Sequence, residues 1–271
     1  MYYLGIVGAL SSMGRGVISE LEKRPEEFKI VFKVDDRYRE KNLVNGEFQH
    51  LEQTLSANIN PTLVLDFGVP QNVFERAKFY RSNEIPAIMQ CIFGPEKCGF
   101  IKNMRGITGK ARTPLILVPD FSVIKTLIIK NLRAMVGSFD CDVSRICIDV
   151  LYNTERYFNQ NQWIYWAYAI NRELGEYTEV YRLQGNTLTC GFVQYGFMRI
   201  SPLDKNEERI NVQVFSGEKE VIFSCDLQRN LLSSRISGVM KVLQWYCDLE
   251  KKGNLPDTSD NVFLDTLSEL V

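Results

Sequence analysis

The sequence predicts an α/β fold: a doubly wound, mostly parallel sheet first, then an α+β region with a mixed, largely antiparallel sheet. Two observations carry this. Over about the first 120 residues, short apolar runs alternate with amphipathic ones. From Phe121 onward, strand-like runs follow one another with short connections, which suit antiparallel pairing.

In chain order, "YYLGIVGA" reads as a strand and "GRGVISELEKR" as a helix. "FKIVFKVD" and "TLVLDFG" are strands, "PQNVFERAKFYRSNE" a helix, and "IPAIMQCIF" and "TPLILVPD" strands. Strands separated by helices imply right-handed crossovers and a sheet covered on both faces. In "FSVIKTLIIKNLRAMVGSF", residues Val123, Ile124, Leu127, Ile128, Leu132 and Met135 fall at helical spacing behind Ser122, a suitable cap. Next come the strands "CDVSRICIDVLY", "EYTEVYRLQG", "TLTCGFVQYGFMRI", "RINVQVFSG" and "EVIFSCDL", interrupted by one helical crossover, "QNQWIYWAYAINREL". A long helix, "NLLSSRISGVMKVLQWYCDLEKK", closes the chain before Gly253 and Pro256.

Composition removes several function classes. A formal net charge of -1, with Lys and Arg spread along the chain, gives no basic field for nucleic acid or an anionic membrane surface. No apolar run approaches the roughly 20 residues of a membrane helix. The opening "MYYLGIVGAL" lacks a basic flank and is expected to be a core strand, which points to the cytoplasm. Seven cysteines without a CxxC pair fit buried thiols in a reducing compartment. His50 is the only histidine, so no site needing two His ligands can form. It lies in the polar stretch "VNGEFQHLEQTL", where a loop role is expected.

The stretch "GIVGALSSMGRGV" has the order strand, small-residue turn, helix, which is how dinucleotides are gripped. Gly8 permits a tight turn, Gly14 lets the helix pack close to the sheet, and the amides opening the helix can face a pyrophosphate. Ser11 stands where a glycine is usual and lacks glycine's freedom at positive φ. "FKVDDRYRE" ends the second strand with Asp35, Asp36 and Arg37. Asp36 lies 28 positions after Gly8, and either carboxylate could bind ribose hydroxyls while Arg37 meets a 2'-phosphate or the adenine.

These signals, in this order, resemble the dihydrodipicolinate reductase family of lysine biosynthesis. "GIVGALSSMGRGVISEL" is similar to its GxxGxMGR opening, with Met13, Gly14 and Arg15 kept. "VLDFGVPQNVFERAKFY" is similar to its DFT-x-P segment, with Asp66, Phe67 and Pro70 kept and Gly68 in place of threonine. "VPDFSVIKTLIIKNL" resembles its NFS-x-G-x-N segment through Phe121 and Ser122. "GEKEVIFSCDLQRNLLSSRISGVMKVLQW" resembles the family's close, with Gly217, Glu218 and Arg229 in register. The resemblance implies a Rossmann-type dinucleotide-binding domain of residues 1–121 and 229–271 and an inserted substrate-binding and oligomerisation domain of residues 122–228. It also implies NADH or NADPH as cofactor, hydride transfer to a small cyclic imine, and a tetramer assembled through the open sheet. By this resemblance Gly8, Met13, Gly14 and Arg15 hold the pyrophosphate, Asp36 and Arg37 the adenosine ribose, and Phe67, Gly94, Asp120 and Phe121 the nicotinamide end.

The family's substrate motif, close to HHRxKxDxPSGT, is absent. The matching positions read "LYNTERYFNQNQW": Leu151 and Tyr152 replace the histidine pair, and Glu155 falls near the lysine. The family's GTTG turn becomes "CIFG" at 91–94, and its asparagine becomes Asp120. A dianionic substrate facing Glu155 would be repelled, and removing one partner of a buried charge pair costs about 2 to 5 kcal/mol. Tyr152 or Glu155 could instead protonate another imine or carbonyl, or be ordinary loop residues. Lys125 sits in a helix's first turn, where the macrodipole disfavours a cation; a nearby anion or plain solvent exposure would explain it. The expected function is a reductase-like NAD(P)H-dependent oxidoreductase with an altered substrate site, taking a small imine or keto compound. The alternative is a non-catalytic descendant serving structure, regulation or assembly. In "WIYWAYAI", Trp163, Tyr165, Trp166 and Tyr168 read as packing aromatics.

Overall fold

The structure is a computed structural model. It describes residues 1–38, 46–69, 72–91, 113–118, 120–138, 143–152, 181–184, 187–190, 193–199, 207–216, 220–255 and 262–263. The chain divides into two compact units, one formed by Met1–Ile92, Glu96–Phe121 and Arg235–Leu270, the other mainly by Ser122–Ser234.

The first unit contains a sheet of seven parallel strands. They are β1 (Tyr2–Val7), β2 (Phe28–Val34), β3 (Glu47–Phe48), β4 (Leu63–Asp66), β5 (Ala87–Gln90), β6 (Leu115–Val118) and β13 (Val262–Phe263), ordered β13-β6-β5-β4-β1-β2-β3. Every neighbouring pair is parallel. Strand order reverses at β1, so its flanks β2 and β4 open a crevice at the strands' carboxyl ends, the position where doubly wound sheets bind ligands. The central strands read as unbroken apolar runs because both faces are covered. Leu4, Ile6, Leu63, Val64, Leu65, Ile116 and Leu117 are fully buried.

Helix α1 (Ser12–Leu21) packs on β1 and β2 and buries Met13, Gly14, Val17 and Leu21, a stripe at helical spacing. Helices α2 (Glu52–Ser56) and α3 (Val73–Ser82) follow. The last helix, α5 (Leu231–Lys251), buries Val239, Val242, Leu243, Tyr246 and Cys247. It meets the sheet through Tyr2, whose hydroxyl donates to the Cys247 carbonyl at 3.2 Å.

The second unit holds α4 (Val123–Ser138) and a six-stranded mixed sheet. Its strands are β7 (Val143–Tyr152), β8 (Tyr181–Gln184), β9 (Thr187–Cys190), β10 (Val193–Arg199), β11 (Glu207–Ser216) and β12 (Glu220–Asn230), ordered β12-β11-β7-β10-β9-β8. Only β7 and β10 pair in parallel; the other four pairs are antiparallel. The fold class is thus the expected one.

Two details differ from the sequence reading. "TLTCGFVQYGFMRI" is two antiparallel strands, with Val193 opposite Cys190, rather than one. The short β3, α2 and β13 were not anticipated, because two- to five-residue elements are too short for periodicity to register. The crossover "QNQWIYWAYAINREL" and its aromatic stripe lie outside the described residues.

A buried ion pair fixes the start of α3 against the end of β4. Asp66 is fully buried and accepts hydrogen bonds from Arg76 Nε (2.7 Å), the Tyr80 hydroxyl (2.8 Å) and the Gly68 amide (2.8 Å). Burial lowers the Arg76 pKa, but Asp66 outweighs it and the net shift is upward. Asp66→Ala would strand the guanidinium without its partner and should cost about 3 to 5 kcal/mol in chemical denaturation; a loss under about 1 kcal/mol would show that the pair does not hold this junction.

Candidate functional site

The crevice between the carboxyl ends of β1, β2 and β4 is a cavity of about 790 Å³. That lies within the range of small-molecule sites, about 300 to 1,000 Å³. Its first wall is the turn after β1. Gly8 adopts φ +72°, and a Cβ there would lie 2.6 Å from the Phe67 carbonyl oxygen of the neighbouring strand end. Gly14 is equally constrained, since a Cβ would collide with the Gly8 carbonyl. Only glycine fits at either place.

Ser11 has φ -67°, so this turn does not require a glycine there. Its side chain is instead the N-cap of α1, accepting from the Gly14 amide at 2.9 Å. The amides of Ser12 and Met13 have no acceptor among the described residues, and the first turn of α1 has no acidic residue. Arg15 in that turn is exposed and has no ion pair among the described residues. Two open amides and a cation at the positive end of a helix suit a phosphate group.

The second wall is the end of β2. Asp35 is buried and turns inward: its carboxylate accepts from the Leu10 amide (2.8 Å), from Arg37 Nε (2.6 Å) and from Arg37 Nη2 (2.7 Å). Burial pushes its carboxyl up, but these hydrogen bonds outweigh burial and hold it below the ordinary value. Asp36 points outward, with its side chain 81% exposed. Gln49, His50 and Leu51 close this end of the cavity, so the lone histidine stands on its rim, exposed.

The third wall follows β4. Phe67 lines the cavity and packs edge-on against Phe121 at 6.2 Å. At Gly68 the space is filled: a Cβ would come within 2.8 Å of Arg76 Cζ.

Among the residues singled out in the sequence, Gly8, Ser11, Asp36, Arg37 and Phe67 line this cavity together. Met13, Gly14, Arg15, Asp120 and Phe121 do not line it. Phe121 is fully buried, and Asp120 is engaged by Arg235 Nε at 3.2 Å. Gly94 and Glu155 lie outside the described residues. Tyr152 ends β7, opposite Arg199 and Glu208 in register. Lys125 is buried, which excludes the solvent-exposed alternative. Its amide donates to the Ser122 hydroxyl at 3.3 Å, so Ser122 caps α4, and Ser234 lies 3.4 Å from that hydroxyl. Sequence reasoning missed Arg235, Arg76 and the inward turn of Asp35. The DD pair signalled a strand end, but nothing in it told which carboxylate folds inward.

The sequence matches no protein-family model and none of the curated proteins compared. Its fold does have solved counterparts. One is a dipicolinate-bound dihydrodipicolinate reductase from Paenisporosarcina sp. TG-14, 15% identical, with a TM-score of 0.65 and full coverage of both chains. A second is an oxidoreductase from Agrobacterium radiobacter in complex with NAD+, L-tartaric acid and magnesium. It is 12% identical, with a TM-score of 0.61, covering 96% of this chain and 92% of that one. A third, the WlbA dehydrogenase from Bordetella pertussis in complex with NADH and UDP-GlcNAcA, is 13% identical at a TM-score of 0.58, covering 86% and 80%. The chain therefore shares the Rossmann-type α/β fold of these solved structures. Among the described residues no helix is long and apolar enough to cross a membrane.

Two outcomes are expected. Gly8→Ala should cost more than about 1 kcal/mol, because φ +72° strains any side chain; an unchanged urea midpoint would contradict the fit described for the turn. Asp35 has a depressed pKa when folded. Its stabilising contribution is therefore full above the unfolded value, about 3.9, and is lost as pH falls through the lower folded value. Urea melts from pH 7 to pH 3 should show a shallower acid loss in Asp35→Asn than in the wild type, and equal slopes would contradict this.

Proposed function

We propose that this chain is a nicotinamide-dependent oxidoreductase of dihydrodipicolinate reductase-like descent, reducing a small imine or keto compound at an altered substrate site. The observation that carries this reading is the cradle at Gly8 and Gly14. Side chains are excluded there by backbone, and the open Ser12 and Met13 amides lie beside it. Those residues with Arg15 would hold the pyrophosphate, and Asp36 the adenosine ribose. The segment from Asp120 to Phe121 and Gly94 would border the nicotinamide end together with Phe67. Support comes from the comparisons, in which counterparts of this fold were solved with NAD+ or NADH.

The cofactor would supply the hydride. Lys125, Tyr152 and Glu155 are the groups we assign to orienting the substrate and giving its nitrogen or oxygen a proton. We further assign residues 1–121 and 229–271 to cofactor binding, residues 122–228 to substrate binding and tetramer assembly, and the protein to the cytoplasm. No nucleic acid or membrane enters this reading.

Calorimetric titration of the purified protein with NADH and NADPH, after release of any carried-over nucleotide, tests the reading. Micromolar binding of either form is expected, followed by nucleotide oxidation with a panel of cyclic imines and keto acids. No binding of either form would overturn it in favour of a scaffold that has lost its chemistry. Lys125→Ala should lower turnover by about a hundredfold or more with binding intact, the range of a lost proton donor; unchanged turnover would remove Lys125 from the mechanism.

A further inference from the structure

We propose that the adenosine end of this cavity is built for a ribose with a free 2'-hydroxyl and against a 2'-phosphate, so that NADH is taken over NADPH. The inference rests on the cofactor reading above.

The charges at that corner pair off among themselves. Arg37 is the only cation at the end of β2 among the described residues that line the cavity. Its Nε and Nη2 both face Asp35, at 2.6 and 2.7 Å, so one of the two forked edges of the guanidinium is taken and its charge is matched by a carboxylate. Asp36 adds a second carboxylate 4.0 Å from the same Nε. Asp35, Asp36 and Arg37 together therefore carry a net negative charge. Elsewhere in the lining, Arg76 is neutralised by buried Asp66, and Glu75 is paired with Lys78 at 3.1 Å. Glu52 is exposed and adds another negative charge.

With histidine counted as neutral, no unpaired lining cation is left for a dianion among the described residues. A 2'-phosphate would meet like charge at the corner where a hydroxyl could donate to Asp36. Asp35 also accepts from the Leu10 amide and so joins this corner to the glycine turn.

The test measures dissociation constants for NADH and NADPH, and for the half-ligands ADP and 2',5'-ADP, on the full chain by calorimetry. NADH should bind at least tenfold tighter than NADPH, with ADP favoured over 2',5'-ADP in the same direction. Asp36→Ser, with folding checked by circular dichroism, should shrink the ratio at least threefold. Equal or tighter NADPH binding would overturn the preference while leaving the cofactor reading in place, and would point to cations outside the described residues. Binding of neither dinucleotide would overturn both. An unchanged ratio in Asp36→Ser would overturn the charge argument.

Discussion

The hydrogen bond from the Leu10 amide to the Asp35 carboxylate, 2.8 Å long, is the contact on which the rest of the cavity depends. It joins the turn after β1 to the end of β2, two segments 25 residues apart in sequence. With that bond in place, the turn presents Gly8 to β4 and leaves the first amides of α1 open. Arg37 is held by the same carboxylate, so one buried acid sets the shape of one wall and the charge of another. A buried carboxylate is costly unless its lone pairs are filled, and here backbone and guanidinium donors fill them.

The opposite wall follows a similar logic with different chemistry. Asp66 ends β4 with no exposure and gathers Arg76, Tyr80 and the Gly68 amide. That cluster occupies the room that a threonine would need at position 68.

The parallel sheet was legible because its strands are continuous apolar runs separated by amphipathic helices, and both patterns follow directly from burial on two faces. Gly8 and Gly14 were legible for a different reason: backbone stands where their side chains would be, and only one residue type tolerates that. Ser11 was harder. Its type suggested a weakened turn, yet the position is a helix cap at negative φ, a distinction visible only once the turn's dihedrals are known. Pairings such as Asp35 with the Leu10 amide and the Arg37 side chain, Asp66 with Arg76, and Asp120 with Arg235 join groups whose partners no spacing rule predicts. They are set by how strand ends meet the turns and helices packed beside them. The rim position of His50 depends on β3 and α2, elements too short to announce themselves.

Hydrogen exchange of the backbone amides with and without NADH most directly examines whether this crevice is where the chain meets its ligand. Slower exchange is expected in the peptides covering residues 8–15 and 35–37, centred on the Ser12 and Met13 amides that have no acceptor among the described residues, with no comparable change along β2 itself. Protection confined to other segments, or none at saturating NADH, would contradict the placement of the dinucleotide at the β1 crevice.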